Sequence, residues 1–178
     1  MLEHEFYERC ENIAARVRSK LKIAAYAPLS SRSLAAHLLI DVVLPDALPG
    51  LTLKDIHQAS GARGWSAITV LTEPPIIIAH PSRNHLEAES DIMHELAHLL
   101  MKHKPEMLCL ISEYRVARRY SKTQETQADA LGDCLQLPRP ALHYARQRGC
   151  RVEEITQRYC ISVECYNRRI EIISRFRS

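Results

Sequence analysis

Apolar positions recur with a helical period from Glu3 to Ala25, at Phe6, Cys10, Ile13, Val17 and Leu21, with charged residues between them. That spacing predicts an amphipathic first helix. Pro28 ends it, and Ser30 or Ser31 can cap a short second helix reaching Leu39. Ile40 to Leu44 is a β-branched apolar run stopped by Pro45, a predicted strand. Pro45 to Gly64 holds two Pro and three Gly with little period, which predicts loop or a short helix. Trp65 to Leu71 and Ile76 to Ala79 follow as strands, with Thr72-Glu73-Pro74-Pro75 as the turn between them. A long helix is predicted from Asn84 to His103, opened by a capping box of Asn84 and Glu87 and stopped by Pro105. Helical patterns resume over Pro105 to Tyr120, Thr123 to Leu137, Arg139 to Arg148, Val152 to Cys160 and Val163 to Phe176. The order predicts an α+β fold, mostly helical, with a small sheet of about three strands beside the long helix.

The long helix contains His94-Glu95-Leu96-Ala97-His98. Histidines at i and i+4 share one helical face and can clasp one ion. Zinc suits imidazole nitrogen and leaves a position open for water. Glu95 is turned off the metal axis but can reach that water and take its proton. An exposed His-Glu-x-x-His can also be a mere solvated face. Here Ile92, Met93, Leu96, Ala97, Leu99, Leu100 and Met101 make the helix apolar almost all round, hence buried. Two His and a Glu in such a helix need a partner that offsets their desolvation, and a metal supplies it.

A third ligand is needed. The metzincin arrangement fails, because Met101 and Lys104 stand where it requires Gly and His. His103, near the helix end beside lysines, is expected at the surface. The downstream acids are Glu106, Glu113, Glu125, Asp129 and Asp133, and Glu125 is the best of them. Ala128 and Gly132, at i+3 and i+7 from it, would let its helix approach the metal helix closely. Asp129, at i+4, shares its face and can accept a hydrogen bond from the free nitrogen of a ligating His. The competing account is an exposed helix start, where acids are favoured by the dipole. Manganese or iron(II) are the other ions such a ligand set takes.

Composition narrows the class. Apolar residues make up 46% and charged residues 25% of the 178 residues, ordinary for a globular chain. No apolar run approaches the ~20 residues a membrane span needs. Met1 to Arg9 carries three Glu, a His and an Arg, unlike a secretory signal, so a cytoplasmic location is expected. The six cysteines match no zinc-cysteine spacing and are expected as reduced thiols. Net charge is only +3, yet from Arg139 onward there are nine Arg and no Lys against four Glu. A solvated face of C-terminal helices is the favoured account, and direct nucleic-acid binding is not expected.

His94-Glu95-x-x-His98 followed by Glu125-x-x-Ala128-Asp129-x-Leu131-Gly132-x-x-Leu135-x-x-Pro138 resembles the ImmA/IrrE metallopeptidases. Their second motif runs Glu-x-x-Ala-(Asn/Asp)-x-Phe-Ala-x-x-Leu-Leu-x-Pro. Ala27-Pro28-Leu29 with Ser33-Leu34-Ala35 looks like their N-terminal segment, and Val152 to Ile170 is similar to their C-terminal helical pair. The resemblance implies a zincin-like, gluzincin-type site, with His94, His98 and Glu125 on zinc and Glu95 as base. It also implies a protein substrate, typically a helix-turn-helix repressor of phage, mobile-element or stress genes. Leu131, Gly132 and Gln136 depart from the motif and bear on helix packing rather than on the ligands. Residues 1–150 are then expected as the metallopeptidase domain, with 151–178 a helical pair completing it. Tyr114, Tyr120, His143 and Tyr144 are candidates by residue type to stabilise an oxyanion, and the Ile76 to Ala79 strand is a candidate edge for substrate backbone. The rival from another class is a catalytically silent, repressor-binding or toxin–antitoxin-type module that retains the zinc fold.

Overall fold

The computed structural model describes residues 3–60 and 64–176, so residues 61–63 of the glycine-rich stretch and both chain ends lie outside the described residues. The helices are α1 (Glu3–Lys20), α2 (Ser31–His37), α3 (Leu53–Ser60), α4 (His85–Met101), α5 (Lys122–Gln136), α6 (Arg139–Gln147), α7 (Val152–Tyr159) and α8 (Val163–Arg175). The strands are β1 (Asp41–Val43), β2 (Ala67–Val70), β3 (Ile76–Ala79), β4 (Met107–Ile111) and β5 (Tyr114–Arg119). The fold is α+β, as the sequence predicts. The chain forms two compact units, residues 31–128 and residues 1–30 with 129–178.

The first unit holds a five-stranded mixed sheet in the order β1-β3-β2-β5-β4. β1 runs parallel to β3, while β2–β3, β2–β5 and β4–β5 are antiparallel. Side chains alternate across this sheet. Val70, Ile78, Ile111 and Val116 pack with Leu51 and Ile56 on the side that α3 covers. Thr69, in the opposite phase of β2, meets α4 through Glu95. α4 begins as predicted: the Asn84 side chain accepts from the Glu87 amide (3.0 Å), and Glu87 accepts from the Asn84 amide (3.1 Å). Removing the cap in Asn84→Ala should cost about 1 kcal/mol. Urea unfolding should then show a lower midpoint with an unchanged slope. Glu89, buried within α4, accepts from the Ser31 amide (2.7 Å) and ties the start of α2 to α4.

The sheet departs from two expectations. The sheet has five strands rather than about three, because Pro105 to Tyr120 folds as the β4–β5 hairpin and not as helix. Ser112, at the turn, takes a left-handed φ of 53°, which a helix does not accommodate. The Ile76 to Ala79 strand is not an edge: β3 is flanked by β1 and β2, and among the described strands β1 and β4 lie outermost.

The second unit is helical, with Leu137, Ala141, Leu142, Ala145, Ile155, Tyr159 and Ile161 in its core. The described arginines from Arg139 onward are exposed, as expected, except Arg169, which is buried like Arg18 of α1. Arg18 donates to the Leu135 carbonyl (2.8 Å), and buried Arg169 donates to the Leu137 carbonyl (2.9 Å) and pairs with Glu11. These carbonyls are orphans of the α5 C-terminus, which the two guanidiniums satisfy. Arg168 forks onto Asp133 (2.9 Å to each oxygen) and Arg139 pairs with Glu8. No disulfide joins any of the six cysteines. Among the described residues no helix is long and apolar enough to cross a membrane.

Candidate metal centre

The His94-Glu95-x-x-His98 segment occupies the C-terminal half of α4, which the sheet covers through β2 and β3. One turn separates the two histidines, and their Nε2 atoms stand 3.0 Å apart. Glu125, in the first turn of α5, brings Oε2 to 3.1 Å from His94 Nε2 and 3.6 Å from His98 Nε2. All three ligand atoms lie within 4.8 Å of one another. A tetrahedral ion with bonds of about 2.0 Å holds its ligands about 3.3 Å apart, which the three measured separations bracket. The donors fit as well as the distances. Burial and the neighbouring His94 push the His98 imidazole down to about 3, so its ring is neutral near pH 7 and its lone pair is available. A divalent cation would also neutralise the carboxylate and take a lone pair from each of the two Nε2 atoms. His94, His98 and Glu125 could therefore hold a divalent ion.

Exposure falls off from one side of the group to the other. The Glu125 side chain is 42% exposed and that of His94 26%, whereas His98 is at 1%. The centre is thus anchored on its His98 side and open to solvent at Glu125. It borders a cleft of about 200 Å³ whose lining includes Trp65, Ile68, His94, Glu95, Tyr120 and Glu125. Glu95 is buried on this wall and accepts a hydrogen bond from the Thr69 hydroxyl. Burial pushes its carboxyl up to about 7, against the opposing effect of that hydrogen bond.

The sequence pattern groups His94, Glu95, His98 and Glu125, and the fold brings the two histidines and Glu125 together beside a cleft that Glu95 also lines. Of the oxyanion candidates, Tyr120 lines the cleft and stacks on the His98 ring, with centroids 3.7 Å apart. Tyr114 opens β5, whereas His143 and Tyr144 belong to α6 in the helical unit. Asp129, one turn beyond Glu125, belongs to the helical unit, where its charge acts on Arg168. His103 stands against the other ring nitrogen of His98, with the two Nδ1 atoms 2.9 Å apart. His103 is therefore no bystander at the surface, as the lysines around it suggest. Its signal is conformational. Lys102 adopts a left-handed φ of 57°, and the His103 amide donates back to the His98 carbonyl (3.0 Å), a helix-ending turn that reverses the chain over its last turn. Thr69 and Gln127 (3.2 Å from His103) likewise escape a reading of the sequence, since neither carries a motif.

The fold and the site define an α+β domain with a His-His-Glu group suited to a divalent ion and a buried carboxylate beside it. The family model Peptidase_M78, described as the IrrE N-terminal-like domain, matches residues 51–171, and the chain belongs to that family. It is a metallopeptidase-type domain, and a peptidase takes a protein or peptide as substrate. No curated protein matches the chain.

Proposed function

We propose that this protein is a zinc-dependent endopeptidase that hydrolyses a peptide bond in a helix-turn-helix transcriptional repressor of a phage, mobile element or stress regulon. The observation that carries the reading is the convergence of His94, His98 and Glu125 on one point beside Glu95. Family membership supports the reaction class, and the resemblance of the two motifs supports the substrate. In this reading residues 1–150 form the peptidase domain and the α7–α8 pair completes it, in a cytoplasmic protein. The match extending to residue 171 favours including that pair.

His94, His98 and Glu125 would hold the zinc. When bound, zinc supplies Lewis acidity, making water a nucleophile near neutral pH and polarising the scissile carbonyl. Glu95 acts as general base and then general acid: its carboxylate takes a proton from the attacking water and returns it to the departing amine nitrogen. Thr69, donating to Oε2, fixes the Glu95 rotamer and leaves the other oxygen for that transfer. In this reading the Tyr120 phenol donates to the oxyanion formed at the carbonyl oxygen. Tyr120→Phe should then lower kcat by on the order of 10²-fold with zinc content unchanged. Single-turnover cleavage beside metal analysis checks this, and an unchanged rate removes Tyr120 from the chemistry.

The test of the whole reading joins two measurements on the purified full chain: its metal content, and its incubation with the repressor encoded by the adjacent gene. One equivalent of zinc and a single new cleavage product, abolished by chelation and restored by zinc, is the expected result. An intact repressor in the presence of stoichiometric zinc would remove the proposed substrate.

A further inference from the structure

His98 has two ring nitrogens, and the structure engages both. Nε2 faces His94 and Glu125 (3.0 and 3.6 Å), while Nδ1 meets His103 Nδ1 at 2.9 Å. A neutral imidazole carries one hydrogen, so this approach is a hydrogen bond only if one ring donates and the other accepts. The direction is decided further out. His103 Nε2 is 3.2 Å from Gln127 Oε1, an oxygen that can only accept. With the Gln127 amide in this orientation, the arrangement that satisfies every group puts the hydrogen of His103 on Nε2, makes its Nδ1 the acceptor and leaves His98 donating from Nδ1. That tautomer leaves the lone pair of His98 Nε2 directed at His94 and Glu125. The reverse polarity would put a hydrogen on Nε2 and close the site to any cation.

The geometry of this chain of groups is built in, not incidental. His103 is brought beside His98 by the left-handed Lys102 and the amide bond back to the His98 carbonyl. Gln127 is presented by the same first turns of α5 that present Glu125. Tyr120 stacks on the His98 ring at an interplanar angle of 19° and restrains its rotation. Ligating histidines in metalloproteins donate their second N–H to a carboxylate, a carbonyl or water. Here the group within hydrogen-bond distance of that nitrogen is a second imidazole.

We propose that His103 is a positioning residue of the metal centre, accepting the Nδ1 hydrogen of His98 and holding Nε2 as a ligand, with Gln127 fixing the tautomer of His103. The inference rests on the reading that His94, His98 and Glu125 hold zinc. It assigns the relay to His103 and Gln127, two residues five and twenty-nine positions after His98.

The test is zinc affinity of the full chain by competition with a chromophoric chelator, for two pairs of variants. His103→Phe keeps an aromatic ring without an acceptor, whereas His103→Asn places an amide oxygen where Nδ1 stood. Gln127→Met removes the outer acceptor, and Gln127→Glu keeps it. Affinity is expected to fall about 10- to 100-fold in His103→Phe and to stay within about threefold of the unmodified chain in His103→Asn. Gln127→Met should fall in the same direction by less, with Gln127→Glu retaining affinity. Long-range 15N-edited NMR of the zinc-loaded chain should place the His103 hydrogen on Nε2 and leave its Nδ1 as the acceptor; a hydrogen on His103 Nδ1 overturns the proposal. Should His103→Phe fail to fold, the Gln127 pair and the NMR assignment carry the test. Equal zinc affinity in His103→Phe and the unmodified chain overturns the proposal, as does an Asn variant as weak as the Phe one. Failure of the unmodified chain to bind zinc at all overturns the metal-site reading itself, and this proposal with it.

Discussion

Glu95→Gln is expected to slow peptide-bond hydrolysis by about 10²- to 10⁴-fold while leaving zinc binding unchanged, the loss typical of a missing general base. The substitution is close to isosteric. The amide oxygen of Gln can still accept from Thr69, so the rotamer and the buried packing of α4 survive. What disappears is the capacity to take a proton, and no other described carboxylate except that of Glu125 lines the cleft. Glu125 cannot substitute while it serves as a ligand. The prediction also separates the peptidase from a catalytically silent, repressor-binding module. For an enzyme, the variant binds the repressor and leaves it whole; for a pure binder, the two proteins behave identically. Cleavage followed by intact-protein mass spectrometry, alongside a pull-down of the same repressor, distinguishes these outcomes. A variant that cuts at the unmodified rate would remove Glu95 from the mechanism.

The parts of the fold and site that the sequence discloses are those set by local periodicity. α4 announces itself through the Asn84–Glu87 box and an apolar surround, and its two histidines share a face whatever else the chain does. Glu125 is picked out among the downstream acids by the helical spacing of the small residues that follow it in the sequence. The β4–β5 hairpin is not disclosed in this way. Met107, Leu108, Leu110, Ile111, Tyr114 and Val116 satisfy helical and alternating spacings almost equally, as short apolar runs do. What decides between them is non-local: β5 finds β2, over forty residues earlier, at Val70–Val116. The interior place of β3 has the same origin, since its second neighbour is the parallel β1 that pairs Asp41 with Ile76. His103 stays hidden for a subtler reason. In a continuing helix, five residues past His98 is the wrong face, and only the left-handed turn at Lys102 folds it back. The basic C-terminal stretch is mostly the solvated face that its charge suggests, with Arg169 the buried exception among its described arginines, but charge counted along a chain does not say which arginines cap a buried helix end. Arg18 and Arg169 do so at α5.

Glu125→Ala is expected to weaken zinc binding by on the order of a thousandfold and to abolish hydrolysis at ordinary zinc concentrations. Zinc sites are stabilised by roughly 10–16 kcal/mol in total, so each of three protein ligands accounts for about 4 kcal/mol, or some three decades in Kd. Two histidines one turn apart still clasp an ion after the change, but nothing then closes the third corner of the triangle they make with Glu125 Oε2. The effect should not come from unfolding. The Glu125 side chain is 42% exposed, and substitutions at such positions usually change stability by no more than about 0.5 kcal/mol. Loss of zinc binding, with the same urea midpoint for the two proteins when both are metal-free, therefore isolates the ligand role. Glu125→Asp sharpens the point: it keeps the charge but withdraws the carboxylate by one methylene. An affinity between those of the Ala variant and the unmodified chain would show that reach, and not charge alone, completes the site. If instead the Ala variant holds zinc as tightly as the unmodified chain, the third ligand lies elsewhere, and the approach of α5 to the histidines has another purpose.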